Sequence, residues 1–132
     1  LTKAVRDLDV PRTSLRKGFE ALRTVSGLGS FLAGQVIADL KNDRYYDQHN
    51  TPDWYTFAVM GPGSKKGLDF IYGGGTTERN FEERISGLDL VTSGKIPSVH
   101  RQDLQNCLCE FSKYVRYQQG LPGRRRKYDA HN

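Results

Sequence analysis

The sequence predicts an all-α domain, and three observations carry that prediction. Apolar residues recur at three- and four-residue spacing through several separate segments. No stretch alternates apolar and polar residues long enough to make a convincing strand. Between the periodic segments lie Gly- and Pro-rich breaks, at Gly27–Gly29, Gly61-Pro62-Gly63, Gly73-Gly74-Gly75 and Gly120–Gly123. At 132 residues the chain is long enough for a single domain and too short for two ordinary ones, so residues 1–132 read as one helical unit of five or six helices, with 121–132 as a basic tail.

Each element has its own local reason. Residues 14–25 place Leu15, Phe19 and Leu22 on one face, although Gly18 inside the segment costs about 1 kcal/mol of helix propensity. Residues 30–41 read as a buried helix on Leu32, Val36, Ile37 and Leu40. Thr51-Pro52-Asp53 carries the signals of a helix start: a hydroxyl cap, proline at the first position and an acid in the first turn. The helix it predicts bears Trp54, Phe57 and Met60 and stops at Gly61-Pro62-Gly63. Residues 76–88 follow, with Phe81, Ile85 and Leu88 on one face. Pro97-Ser98 opens the longest helix, 99–118, striped by Leu104, Leu108, Phe111 and Val115.

Composition narrows the function classes. Hydrophobic residues make up 36% and charged residues 27%, but the seven Tyr, six Phe and one Trp argue for a folded core against disorder. Twenty Lys and Arg against fifteen Asp and Glu give a formal charge of +5, which suits an anionic partner. No apolar run approaches the roughly 20 residues that span a bilayer, and no charged-then-apolar leader opens the chain, so no membrane partner is expected. Two cysteines, Cys107 and Cys109, are too few for a disulfide scaffold, which fits an intracellular, reducing compartment. Three scattered histidines and a Cys-x-Cys pair supply no metal spacing, so neither a metal nor another cofactor is expected. The chain opens on Leu1 and fits the C-terminal part of a larger protein.

Five segments could carry chemistry. Gly27, Gly29 and Ser30 lie in the connection of a helix-hairpin-helix pattern, where backbone N–H groups at the next helix can hold a DNA phosphate; an ordinary αα-hairpin with glycine caps gives the same pattern. Gln35 and Asp39 form a row with Phe31, and a carboxylate beside that apolar helix must be paired or partly desolvated; a general base or cation stabiliser competes with a plain salt bridge or cap. Gly61, Gly63, Ser64, Lys65 and Lys66 make a plausible anion nest or a solvated loop, and do not match a Walker A loop. Asp103, Asn106, Glu110, Lys113 and Tyr117 line the polar face of the long helix, ordinarily a solvated face, although Cys107, Cys109 and Tyr114 point to partial cover. Arg124, Arg125, Arg126 and Lys127 give a nonspecific phosphate contact or a solvated end.

Three of these segments in their order resemble one family. The run 27–36 followed by Asp39-Leu40, the run 61–68, and Leu108–Arg116 trailed by Gly123-Arg124 are similar to the amino acid:DNA transferases of hypermodifying bacteriophages, also called α-glutamyl/putrescinyl thymine pyrophosphorylases. The resemblance covers roughly residues 25–125. It implies a fold like the helix-hairpin-helix DNA glycosylases, kinship with 5-hydroxymethyluracil DNA kinase helical domains, and a modified pyrimidine in DNA as substrate. It further implies transfer of an amino acid or polyamine to activated 5-hydroxymethyluracil with displacement of pyrophosphate.

On that resemblance Asp39 stabilises charge or takes a proton, Glu110 orients the amine beside Lys113, and Gln35, Asp53, Ser64 and Arg116 bind substrate. Lys65 and Lys66 hold the backbone phosphate or the leaving group, and an everted base enters between the second hairpin helix and the long helix. Excision of a modified base, or a noncatalytic DNA-binding module, are the alternatives. ATP-dependent kinase chemistry ranks last, because no nucleotide loop is visible. Glycosylase folds place several helices ahead of the hairpin, where this chain has about 25 residues, which again fits a piece of a larger chain.

Overall fold

The computed structural model describes residues 9–92 and 99–120. The described residues form five α-helices and one 3₁₀ turn, and no strand occurs among them. Helix α1 spans Leu15–Arg23, α2 Ser30–Asn42, α3 Pro62–Tyr72, α4 Glu78–Thr92 and α5 Arg101–Gln118, with a 3₁₀ turn at Gln48–Asn50.

The N-terminus of α1 is fully accounted for. Ser14 Oγ accepts from Lys17 N–H at 3.0 Å, and the two carboxylate oxygens of Asp53 accept from Leu15 N–H at 2.8 Å and Arg16 N–H at 2.9 Å. A capping residue 38 positions away thus ties α1 to the segment before α3. Gly18 is buried because the hydroxyl of Tyr46, which donates to Pro11 C=O at 2.9 Å, occupies the space a Cβ would need. The connection from α1 to α2 turns at Gly27, whose φ of +88° lies in the left-handed region that favours glycine.

Two apolar clusters form the interior. Val10, Leu15, Phe19, Leu22, Ala33, Ile37, Leu40, Tyr46 and Phe57 pack around the α1–α2 hairpin. Ala58, Leu68, Phe81, Ile85 and Leu108 pack among α3, α4 and α5. Consecutive residues Phe57 and Ala58 belong to different clusters, so the extended segment leading to Gly61 joins the two.

The helix expected from Thr51 does not form. Residues 52–56 are turns, because carbonyls that would accept helical bonds have other partners. Trp54 C=O accepts from Lys41 Nζ at 2.6 Å, and Tyr55 C=O from Arg101 N–H at 2.8 Å. Thr51 Oγ1 donates to Asp47 C=O and Asp53 caps α1, so neither performs the expected start of its own helix.

Gly61-Pro62-Gly63 starts a helix where it was expected to stop one. Gly61 is the N-cap and Pro62 the first residue of α3, and buried Ser64 Oγ accepts from Gly61 N–H at 2.9 Å. The expected anion nest is therefore helix. Its glycines serve packing: a Cβ on Gly67 would stand 2.5 Å from Leu108 C=O, and one on Gly63 3.1 Å from Cys109 Cα. The four-residue spacing of Gly63 and Gly67 lets α3 lie almost backbone to backbone on α5.

Helix α4 begins two residues later than expected and runs to Thr92, and α5 begins at Arg101. The Pro97-Ser98 opening and the 121–132 tail lie outside the described residues. Asp69 joins α3 to α4: its carboxylate accepts from Thr76 N–H at 2.8 Å and faces Arg84 and Lys65 at 3.8 and 3.1 Å. The hydrogen bonds from Thr76, with Lys65 beside them, hold the carboxyl at about 2.

The close α3–α5 seam makes a stability prediction. Gly67→Ala adds helix propensity worth about 1 kcal/mol but pushes Cβ into a backbone carbonyl that cannot rotate away. A net loss of about 1–3 kcal/mol is expected in urea denaturation. An unchanged midpoint would show that the helices separate without cost. Asp53→Ala is expected to lose about 1–2 kcal/mol in the same assay, since it leaves two N–H groups of α1 without their carboxylate.

Candidate functional site

A shallow groove with a volume of about 10 Å³ lies between α2 and the start of α5, lined by Phe31, Gly34, Gln35, Val59, Gln102 and Gln105. Its floor exists because Gly34 has no side chain: Val59 fills that space, 3.2 Å from where a Cβ would be. Phe31 stands half out of the protein at 50% exposure and packs on Gly61, the N-cap of α3. Gln102 Nε2 donates to Gly34 C=O at 3.4 Å. Gln105 is only 4% exposed, and its Nε2 lies 3.7 Å from Cys109 Sγ, a weak acceptor. No charged residue lines the groove.

Two helical turns along α2 from Gly34 lies a second constellation that sequence reasoning missed. Lys41 is 6% exposed; besides its bond to Trp54 C=O, its ammonium lies 2.7 Å from His100 Nδ1 and 4.7 Å from the centre of the Trp54 ring. An ammonium only donates, so His100 accepts through Nδ1 and carries its proton on Nε2. The imidazole also meets the rings of Trp54 and Tyr55 edge to face, at 6.1 and 4.8 Å. Burial lowers the Lys41 amine to about 8, against the opposing pull of Asp103 and Asp53. Burial and the nearby Lys41 likewise lower His100. The sequence signal was present: Lys41 continues the buried row Ala33, Ile37 at four-residue spacing. Its deep placement makes it a tie between α2, the 51–56 turns and α5.

The residues singled out from sequence are placed as follows. Gln35 is exposed and lines the groove. Asp39, one turn further, is exposed on α2 and not desolvated as expected, because the row Phe31, Gln35, Asp39 faces outward. Gly29 is the N-cap of α2 without a side-chain cap bond, and nothing stands within 4 Å of a Cβ built at Gly27 or Gly29. Asp53 caps α1 and Ser64 caps α3, which gives each a structural task.

Lys65 pairs with Asp69, while Lys66 is exposed. Glu110 and Lys113 pair with each other at 2.7 Å, 73% and 71% exposed. The polar face of α5 is open to solvent: Cys107 is exposed and Tyr114 is 58% exposed, so the expected partial cover is confined to half-buried Cys109. Arg116 is half-buried on α5, and Arg124, Arg125 and Arg126 lie outside the described residues. The structure thus brings Gln35 to the groove without gathering Asp39, Glu110 and Lys113 into one pocket.

No described helix is long and apolar enough to cross a membrane. Among the described residues, five helices with a glycine-turned hairpin and a neutral groove beside it define a small helical domain with a surface recess. Its sequence matches the family described as 5-hmdU DNA kinase, helical domain, over residues 5–121, and the chain belongs to that family. Membership ties it to modified-pyrimidine DNA metabolism. No curated protein and no solved structure matches it.

Lys41 makes the site's stability depend on pH. The folded state releases the Lys41 proton near pH 8, whereas the unfolded chain holds it to about 10.5. Between those values the unfolded state binds more protons, so stability rises with pH across that window and the cost of burying the ammonium is fully present below it. Urea denaturation at pH 7.5 and 9.5 should show the wild type gaining stability, with the gain reduced in Lys41→Met. Equal pH slopes in the two proteins would remove Lys41 as the cause.

Proposed function

We propose that this chain is a DNA-contacting helical domain that holds the backbone at the α1–α2 turn and receives a 5-hydroxymethylated pyrimidine at the α2–α5 groove. The observation that carries this reading is the continuity of α2. Its first turn, beyond Gly27 and Gly29, has no side-chain cap, and Phe31 in that same turn stands at the groove. A phosphate at the helix N-terminus accepts from the first N–H groups and is favoured by the helix dipole. The nucleotide attached to it then has its base within reach of Phe31. The charge of +5 supports backbone attraction, with exposed Lys17, Arg23 and Lys66 available and Arg124, Arg125 and Arg126 further along the chain. The glycine-turned α1–α2 hairpin supports the comparison with helix-hairpin-helix DNA glycosylases.

Transfer of an amino acid or polyamine to that pyrimidine is the second reading, supported by the exposed carboxylate of Asp39 on α2, one turn from groove-lining Gln35. In that reaction the amine nitrogen bonds to the 5-methylene carbon as the carbon–oxygen bond to pyrophosphate breaks. Pyrophosphate leaves with the electron pair, and the amine loses a proton. Asp39, one turn from Gln35, is the carboxylate in register to take it. Glu110 and Lys113, paired on the open face of α5, would act on the incoming amine, and Lys65 and Lys66 on the leaving group.

Two measurements test these readings. Fluorescence anisotropy with 5-hydroxymethyluracil duplexes should show binding that weakens steeply with salt, with a shallower salt slope in Lys17→Ala/Lys66→Ala. Absence of DNA binding at low salt would overturn the first reading. Mass spectrometry of oligonucleotides carrying pyrophosphorylated 5-hydroxymethyluracil, incubated with amino acids and putrescine, should show mass gain with pyrophosphate release. Asp39→Asn should abolish the gain while still binding. Loss of a base would replace transfer by excision.

A further inference from the structure

The contact between Lys41 and His100 can exist in only one protonation state. Three elements meet there: α2 through Lys41, the 51–56 turns through Trp54 and Tyr55, and the start of α5 through His100, its N-cap. The Lys41 ammonium belongs to a side chain 6% exposed and faces three acceptors: Trp54 C=O at 2.6 Å, the Trp54 ring, and His100 Nδ1 at 2.7 Å. An imidazole accepts at Nδ1 only while that nitrogen carries no proton. Once it is protonated both ring nitrogens are donors, and two cations would stand 2.7 Å apart with little water to screen them.

One of the two must then leave, and the geometry selects His100. Lys41 keeps a carbonyl and an aromatic face without the imidazole, whereas His100 is half-buried and regains water by turning outward. The groups facing His100 are Lys41 from α2, the uncharged rings of Trp54 and Tyr55 from the turns, and Asp103 on its own helix. Asp53, next to Trp54, acts on Lys41 while its carboxylate is bonded to the N-terminus of α1. Of the groups that act on His100, Asp103 favours the imidazolium, and burial together with Lys41 outweighs it.

The residues after His100 define what would move with it. Arg101 N–H donates to Tyr55 C=O at 2.8 Å, and Gln102 reaches Gly34 C=O on α2. Residues 100–102 thus fasten the first turn of α5 to two other elements, and one of those bonds closes a wall of the groove. We propose that His100 is a proton-operated latch: neutral, it accepts from Lys41 and fastens the first turn of α5; protonated, it swings outward, releases that turn and opens the recess between α2 and α5. The latch is a property of the fold and stands whether or not the recess receives a base.

Amide hydrogen exchange and histidine NMR on the whole chain, from pH 7.5 down to pH 5, test this. In the latched state burial and Lys41 hold His100 below its ordinary value of 6.5. The open state then binds one more proton, so opening should grow about tenfold per pH unit as the pH falls from 6.5 toward the latched value. Protection of Arg101 N–H, corrected for intrinsic exchange, should drop by that factor, while the amide of Ile85, buried in the other cluster, keeps its protection. His100→Asn offers an acceptor that does not titrate and should hold Arg101 protection level. Lys41→Met should move the His100 titration toward 6.5 and shorten the range over which Arg101 loses protection.

Thermal melts at pH 7.5 check that both variants fold, and His100→Asn decides the matter if Lys41→Met does not. Constant Arg101 protection in the wild type while His100 titrates overturns the latch. An equal slope in His100→Asn overturns it too, by assigning the opening to another group. Parallel loss of protection at Ile85 would make the event global unfolding and likewise overturn it.

Discussion

The approach of α3 to α5 is the constraint on which the remaining geometry depends. Two helices with ordinary side chains at their contact pack 8–10 Å apart. Here Gly63 and Gly67 present bare backbone to Cys109 and Leu108, so the contact is set by main chain and cannot relax by a change of rotamer. The same contact positions the N-terminal half of α5, where Gln102 meets Gly34 and Gln105 stands beside Gly61. The groove is thus a consequence of a seam that lies beside it. Each end of α3 also has a polar tie. Ser64 closes the first turn of α3 on Gly61, and Asp69 fastens the last turn to Thr76.

Several of the polar ties between the two apolar clusters are made at one short segment. Residues 51–57 lend a carboxylate to α1, a carbonyl to Lys41 and a carbonyl to the first N–H of α5. In isolation that segment would close its own hydrogen bonds as a helix. In the folded chain, its acceptors satisfy donors on three other elements, and each of those donors would otherwise be buried or terminal. Lys41 shows how closely such a compromise is balanced. Its stem packs in the interior, its ammonium faces an aromatic ring, a carbonyl and an imidazole, and the nearby carboxylates only partly offset the loss of water.

This explains which parts of the molecule were legible in the sequence. Helices α1, α2, α4 and α5 were visible from apolar periodicity, a property of consecutive residues, although Leu32 of α2 and Phe111 of α5, expected on the buried stripes, are 52% and 38% exposed. The 51–61 region misled because Thr51-Pro52-Asp53 and Gly61-Pro62-Gly63 carry strong local signals whose partners are distant: Asp53 caps a helix 38 residues earlier. Gly63 and Gly67 read as a loop for the same reason, since glycine demanded by a neighbouring backbone looks like glycine demanded by a turn. At the site, Gln35 was visible on the outer row of α2, whereas Gln102 and Gln105 were not. A glutamine in the first turns of an amphipathic helix is ordinary surface, and only the packing of α5 on its neighbours buries Gln105 and half-buries Gln102.

The separation of charge from the groove bears on how such a domain would distinguish one nucleotide from its neighbours. Cationic side chains raise affinity for every phosphate alike and carry no information about the base. Were a lysine placed within the groove, its attraction to the backbone would dominate and blur the difference between one base edge and another. Neutral amides act in the opposite way. Each contributes little unless its geometry is met, and an unmet amide in a buried recess costs as much as a good bond provides. Exposed Lys17, Arg23 and Lys66 do not line the groove, so under the proposed function they would supply affinity for phosphate without touching a base.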